Sequence, residues 1–151
     1  MPCDPSWEQD GRGMEPQRMQ KDFTKAPGDP LPNELTEKII SSAMEVHSQL
    51  GPGLLENVYE EAMAHEFALR KIPFVRQKEI RLNYKGKDIG WHRVDFLVGN
   101  EVLIELKSVE VLHVLHEAQM IACLKALQTK AGLLINFNVD RLQDGIRRIV
   151  I

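Results

Sequence analysis

Apolar residues recur at three- and four-residue steps over residues 33 to 50, where Leu35, Ile39, Ala43, Val46 and Leu50 make one stripe. The pattern predicts a helix capped by Asn33 or Thr36 and stopped by Gly51-Pro52-Gly53. A second helix is expected from about Leu54 to Lys71, with Leu55, Val58, Tyr59, Ala62 and Phe67 near one side and Pro73 just beyond. The period then shortens to two. Residues 74 to 84 read as a strand, with Ile80, Leu82 and Tyr84 on one face. Lys85-Gly86-Lys87-Asp88 turns the chain into a second strand over residues 89 to 98, and Gly99-Asn100-Glu101 into a third over residues 102 to 109. Residues 113 to 127 return to helical spacing, burying Val114, Leu115, Ala118, Ile121, Ala122 and Leu124. Residues 131 to 137 suit a covered strand, and residues 146 to 151 one more. The order ααβββαββ predicts a mixed α/β fold, a central mixed sheet flanked by helices.

Composition changes this picture at the N-terminus. Six of the eight prolines lie in the first 32 residues, with few apolar neighbours. Residues 1–32 are therefore expected to be a disordered tail, and residues 33–151 the domain. Met14 and Met19 leave the natural start open. No run of 18 apolar residues occurs, so no membrane-spanning helix is expected, and the tail has no apolar core of a secretory signal. Cys3 and Cys123 build neither a disulfide framework nor a zinc site, which fits a reducing, cytoplasmic setting.

The net charge of −3 conceals segregation. Residues 33 to 69 carry Lys38 against seven glutamates, a net −6. Residues 70 to 93 carry Arg70, Lys71, Arg76, Lys78, Arg81, Lys85, Lys87 and Arg93 against Glu79 and Asp88, a net +6. The segment reads either as a salt-bridged surface or as a groove for a polyanion. Under the second reading Arg76, Lys78, Arg81, Lys85, Lys87 and Arg93 bind nucleic acid, and Tyr84 and Trp91 among them stack on bases of a single strand.

Candidate chemistry centres on residues 94 to 107. Glu105 and Lys107 are two apart on an apolar strand and share a face. A three-residue connection at 99 to 101 pairs Val98 with Val102, and so sets Asp95 opposite Glu105 on that face; a two-residue connection sends Glu105 to the other side. The first register is expected. Two carboxylates directly opposed call for a cation between them. A hard divalent metal fits better than Lys107 does, which leaves Lys107 to steer or deprotonate a water. His113 and His116 lack a third strong ligand nearby, His92 reads as a strand histidine that can reach a phosphate, and Cys123 reads as core.

Asp95 with Glu105-Leu106-Lys107, in this element order, resembles the PD-(D/E)XK nuclease superfamily. Gly53-Leu54-Leu55-Glu56-Asn57-Val58-Tyr59 is similar to the motif of the bacterial Gly-x-x-Glu-x-x-Tyr family. Val46-His47, Leu50-Gly51-Pro52-Gly53, Gln77, His116-Glu117-Ala118-Gln119 and Gly132 to Phe137 agree, so the resemblance covers about residues 34 to 151. It implies a restriction-endonuclease-like core and a Mg²⁺- or Mn²⁺-dependent nuclease or phosphodiesterase. Asp95 and Glu105 would be the metal acids, Lys107 the catalytic lysine, and Glu56 the helical acid supporting the metal. As an N-terminal-turn glutamate, Glu56 is also favoured by the helix dipole alone. Gln119 matches the glutamine of a Gln-x-x-x-Tyr element, but Cys123 stands where the tyrosine would be, and Val94 where the superfamily name has proline. Tyr59 is expected to pack or to bond Glu56.

Two functions follow. One is hydrolysis of DNA or RNA phosphodiester bonds. The other is a catalytically silent nuclease fold that binds nucleic acid or a protein partner. Homodimerisation is left open, and no membrane association is expected.

Overall fold

A computed structural model describes residues 33–151; the predicted tail over residues 1–32 lies outside the described residues. The elements are α1 (Asn33–Leu50), α2 (Glu56–Leu69), β1 (Phe74–Tyr84), β2 (Lys87–Val98), β3 (Val102–Lys107), α3 (Val114–Leu127), β4 (Ala131–Asn136) and β5 (Ile146–Val150). A 3₁₀ turn at Leu142–Gly145, which the pattern did not announce, precedes β5. The sheet runs β1-β2-β3-β4-β5. Its neighbours are antiparallel except β3 and β4, whose parallel pairing needs the crossover that α3 supplies.

Helices cover both faces, and this explains the composition of the central strands. Tyr59, Met63 and Phe67 of α2 and Ile39 and Ala43 of α1 pack on Phe96, Ile104, Leu133 and Ile135. On the other face Met120, Cys123 and Leu124 of α3 pack on Leu97, Leu103 and Leu134. β4 is buried along its length, and β3 is buried except at Glu105 and Lys107. Two covered faces demand apolar side chains at successive positions. The two polar residues at the carboxyl end of β3 are therefore exceptions, at the sheet end where ligand crevices form in α/β sheets.

Some expected details change. Leu55 and Val58 are exposed, because the buried stripe of α2 runs Tyr59-Met63-Phe67. Val114, Leu115, Ala118 and Ala122 are exposed as well. At about 100° per residue they fall opposite the stripe of His116, Met120, Cys123 and Leu127 that meets the sheet. Leu50 is exposed at the end of α1. The β1–β2 turn is shorter than expected: Lys85 (φ 48°) and Gly86 (φ 85°) form a two-residue connection, and β2 starts at Lys87. β3 stops at Lys107 instead of Val109 because buried Asn136 takes the next segment away. Its Oδ1 accepts from Val109 N–H at 3.1 Å and its Nδ2 donates to Val109 O at 2.9 Å. No helix among the described residues is long and apolar enough to cross a membrane.

Candidate active site

Val98 lies opposite Val102 and Phe96 opposite Ile104, the register expected from a three-residue connection. The ladder between β2 and β3 ends there, and side chains take over. Asp95 N–H donates to Glu105 Oε1 at 3.1 Å, and Leu106 N–H donates to Asp95 Oδ2 at 2.7 Å. A local kink produces the splay. Val94 joins the core under α3 while Phe96 joins the core under α1 and α2, so the alternation breaks at Asp95. Across the pair Gln77, with φ 53°, interrupts β1 between the Arg76–Phe96 and Lys78–Val94 partners. A non-glycine residue held there is strained backbone of the kind that collects at functional sites.

Each acid thus accepts a backbone N–H from the other's strand, which brings the two carboxyl groups side by side. Burial first, then the negative charge of Asp95, pushes the Glu105 carboxyl up to about 8. Burial likewise raises Asp95, and the charges of Glu60 and Glu56 add to it. Cys123, on the buried side of α3 as expected, is pushed up to about 11 by burial and then by Glu105. Two half-buried acids side by side resist ionising together without a compensating cation. Lys107, next but one on β3, is the nearest such charge in the sequence, and it lowers Glu105 only in part.

Glu56 reaches the same end of the sheet from the first turn of α2, where it accepts from Ser108 N–H at 3.3 Å. Ser108 Oγ donates to Leu54 O at 2.5 Å, which ties the segment after β3 to the start of α2. Tyr59 does not bond Glu56, as one reading expected. Its hydroxyl donates to Gly51 O at 2.5 Å and accepts from Leu54 N–H at 3.2 Å, and its ring stacks on Phe137 at 4.4 Å. The tyrosine thus pins the turn that mounts Glu56. Gly53 serves that turn with φ 98°, a conformation that side chains rarely adopt.

Glu60 was missed. It sits one turn after Glu56, and the spacing i, i+4 was visible in the sequence. Arg76 Nε donates to Glu60 at 2.9 Å and Gln77 Nε2 at 2.7 Å, so α2 is braced on the strained bulge of β1. His92 was underrated. Its Nε2 is buried without a hydrogen-bond partner and lies 3.6 Å from Glu105 Oε2. His113 and His116 cap α3: Leu115 N–H donates to His113 Nδ1 at 3.2 Å, and His113 N–H donates to His116 Nδ1 at 3.1 Å. Burial, then Lys107 and His113, hold His116 below the usual histidine range. Gln119 is exposed on α3, and no hydrogen bond joins it to the acids.

The predicted nucleic-acid residues divide. Arg76 is neutralised by Glu60 and by Glu61 at 2.8 Å, and Arg81 by Asp88 at 2.6 Å and Glu79 at 3.4 Å. Arg93 lies over the Trp91 ring at 4.8 Å and Lys85 over the Tyr84 ring at 5.3 Å.

The donor set suits a hard cation in part. Asp95 and Glu105 are oxygen donors that lack a balancing charge, and His92 Nε2 is an orphaned polar atom aimed at one of them. Among the described residues no three His, Cys, Asp or Glu side chains group to hold a metal. The protein would therefore supply two carboxylates to such a cation and leave its remaining positions to water and phosphate oxygens.

Residues 33–149 match the family model of the PD-(D/E)XK nuclease superfamily. No curated protein matches the chain. Among solved structures, the crystal structure of SSO0001 is similar at 14% identity and a TM-score of 0.44, over 91% of this chain and 78% of that one.

Proposed function

The chain belongs to the PD-(D/E)XK nuclease superfamily, and from that premise we propose that it is a divalent-metal-dependent nuclease that hydrolyses phosphodiester bonds of DNA or RNA. The observation that carries this reading is the Asp95–Glu105 pair, two half-buried acids that each accept a backbone N–H across a splayed strand pair and are short of positive charge. Asp95 and Glu105 would hold Mg²⁺ or Mn²⁺, with Glu56 supporting the site from α2. The ion, when bound, supplies Lewis acidity toward the phosphoryl oxygen and the attacking water.

The chain's own residues do the rest. Lys107 presents its ammonium group on the acid face of β3 and orients the attacking water against the phosphorus. The water oxygen adds to phosphorus, the bond to the leaving ester oxygen breaks, and the water proton passes through solvent to that oxygen. Glu60 with Arg76 and Gln77, and Tyr59 with Gly51, hold α2 in place and exclude loose packing around the acids. Gln119, exposed on α3, is kept as a substrate contact at the rim.

The finer assignment to the bacterial Gly-x-x-Glu-x-x-Tyr family, and a cytoplasmic setting, are part of this proposal. The first is supported by the role Tyr59 plays in mounting Glu56. The second reading, a silent nuclease fold that binds nucleic acid or a protein, is favoured by the lack of a three-donor group among the described residues. Calorimetric titration with Mn²⁺ separates them. A live site binds the ion and loses it in Glu105→Ala; a silent module binds none.

A further inference from the structure

α3 runs back from the carboxyl end of β3 to the start of β4, where Thr129 Oγ1 donates to Glu101 O at 3.1 Å. It covers the face of β3 that bears Glu105 and Lys107, because Leu103, two residues before Glu105, packs with Met120 and Cys123. Met120 also lies against Gly132, the partner of Leu103 on β4. From that level, four residues toward the amino end of α3 span ~6 Å, and two residues toward the carboxyl end of β3 span ~6.6 Å. His116, half-buried on the stripe that meets the sheet, therefore stands level with Glu105 and Lys107. The charges of Lys107 and Glu56 both reach its ring.

The cap of α3 fixes the chemistry of that ring. His113 N–H donates to His116 Nδ1 at 3.1 Å, and a ring nitrogen that accepts a hydrogen bond carries no proton. An imidazolium, protonated on both nitrogens, cannot make this bond. His116 is held neutral with its proton on Nε2, and burial and Lys107 act in the same direction. Ligating a metal through Nε2 would require the other tautomer and the loss of the cap. His113 has the same tautomer, since Leu115 N–H donates to its Nδ1, but it is exposed at the helix start and off the stripe. No hydrogen bond among the described residues engages His116 Nε2. The crevice thus holds an uncharged N–H of fixed direction beside two acids and a lysine.

We propose that His116 is a substrate contact of the acid centre, its Nε2–H donating to a non-bridging oxygen of the phosphodiester received by the acids and Lys107. The proposal rests on the nuclease reading above and adds a residue to that site. A neutral donor follows the growing negative charge on the phosphoryl oxygen as water adds, and it does not repel the Lys107 ammonium group or a cation on the acids.

Nitrogen–proton correlation spectra of the ¹⁵N-labelled full chain read the ring directly. His116 is expected to show a protonated Nε2 and a bare Nδ1 at neutral pH. Dimethyl phosphate, an unreactive phosphodiester, is expected in Mg²⁺ to shift His116 Nε2 and to leave exposed His65 on α2 unmoved. Three variants separate the donor from the cap. His116→Glu keeps the cap, because glutamate at this position reaches back to the N-cap N–H, but it has no donor. His116→Gln keeps both, and His116→Leu keeps neither. Cleavage of a single-stranded oligonucleotide in Mg²⁺ is expected to fall about 100-fold in kcat/KM for His116→Glu and His116→Leu, and to stay within about ten-fold of wild type for His116→Gln. A role in capping alone would leave His116→Glu active. The proposal is overturned if His116 carries its proton on Nδ1, if dimethyl phosphate leaves its Nε2 signal in place, if His116→Glu cleaves as the wild type does, or if His116→Gln cleaves no better than His116→Leu. The Nε2 shift decides even where a variant loses stability. That shift without cleavage by the wild type in any divalent metal would sink the nuclease reading and leave the contact standing. Cleavage that His116→Glu leaves intact would do the reverse.

Discussion

Glu105 accepts the backbone N–H of Asp95 on its carboxylate at 3.1 Å, so a side chain of β3 holds β2 just beyond the last ladder pair, Phe96 with Ile104. The site is therefore a continuation of the sheet in carboxylates, and its protonation state is tied to the fold.

That tie predicts a pH dependence of stability. Folded Glu105 keeps its proton up to about 8, whereas a free glutamate loses it near 4.5. The folded state thus binds more protons across that window, and stability falls as pH rises from about 4.5 to about 8. The raised Asp95 acts in the same direction. Thermal melts of the metal-free protein should show Tm dropping over this range, by about 4 °C for each kcal/mol lost. Glu105→Gln should flatten the profile, and Mn²⁺ should restore Tm above pH 8. A Tm that rises steadily through the window contradicts the buried pair.

Tyr59→Phe keeps the ring stacked on Phe137 but removes the hydroxyl that joins Gly51 O to Leu54 N–H. A cost of about 1–2 kcal/mol is expected in urea unfolding. Cleavage should fall further than that stability loss accounts for, because Glu56 loses its mount. Equal loss of activity in Glu56→Gln and in the Glu56→Gln, Tyr59→Phe double variant would show that the two act through one element.

His92→Phe fills the same space without a polar atom 3.6 Å from Glu105 Oε2. Residues that orient metal ligands typically contribute about 10–100-fold to affinity, so Mn²⁺ affinity should fall by about ten-fold. Tm of the metal-free protein should hold or rise, since the orphaned Nε2 is gone. Unchanged Mn²⁺ binding would make His92 an ordinary strand residue.

Two glycines test the packing beneath the site. A Cβ on Gly145 would stand 2.2 Å from Asn136 O, a backbone atom that cannot move without disturbing the clamp on Val109. Gly145→Ala should cost about 3 kcal/mol or more. A Cβ on Gly132 meets the Met120 Sδ at 2.5 Å, and that flexible side chain can swing away, so about 1 kcal/mol is expected. Chemical denaturation of the two variants distinguishes the cases.

The strands were legible in the sequence because turn length and alternation together set register. A three-residue connection placed Val98 against Val102 and hence Asp95 beside Glu105. Helix faces were less legible. Leu55, Val58, Val114 and Leu115 are apolar yet exposed at the starts of α2 and α3, where periodicity alone assigns them to the core. The basic segment was legible only as two alternatives, for a different reason. Arg76 finds Glu60 and Glu61 some fifteen residues away, and Arg81 finds Asp88 across the hairpin, pairings that exist only once the chain has folded. The place of Glu60 beside the site, and of His92 beside Glu105, was not legible because both depend on the fold around the kink at Gln77.

The central claim is that Asp95, Glu105 and Lys107 form a metal-dependent phosphodiesterase centre. Its most direct test is cleavage of end-labelled single-stranded oligonucleotides by the purified chain in Mg²⁺ or Mn²⁺, beside Asp95→Asn and a chelated control. The account predicts cleavage that chelation abolishes and that Asp95→Asn reduces by more than ~100-fold, beyond what loss of an outer-shell partner produces. Equal cleavage by wild type and Asp95→Asn, or none by the wild type in either metal, would contradict it.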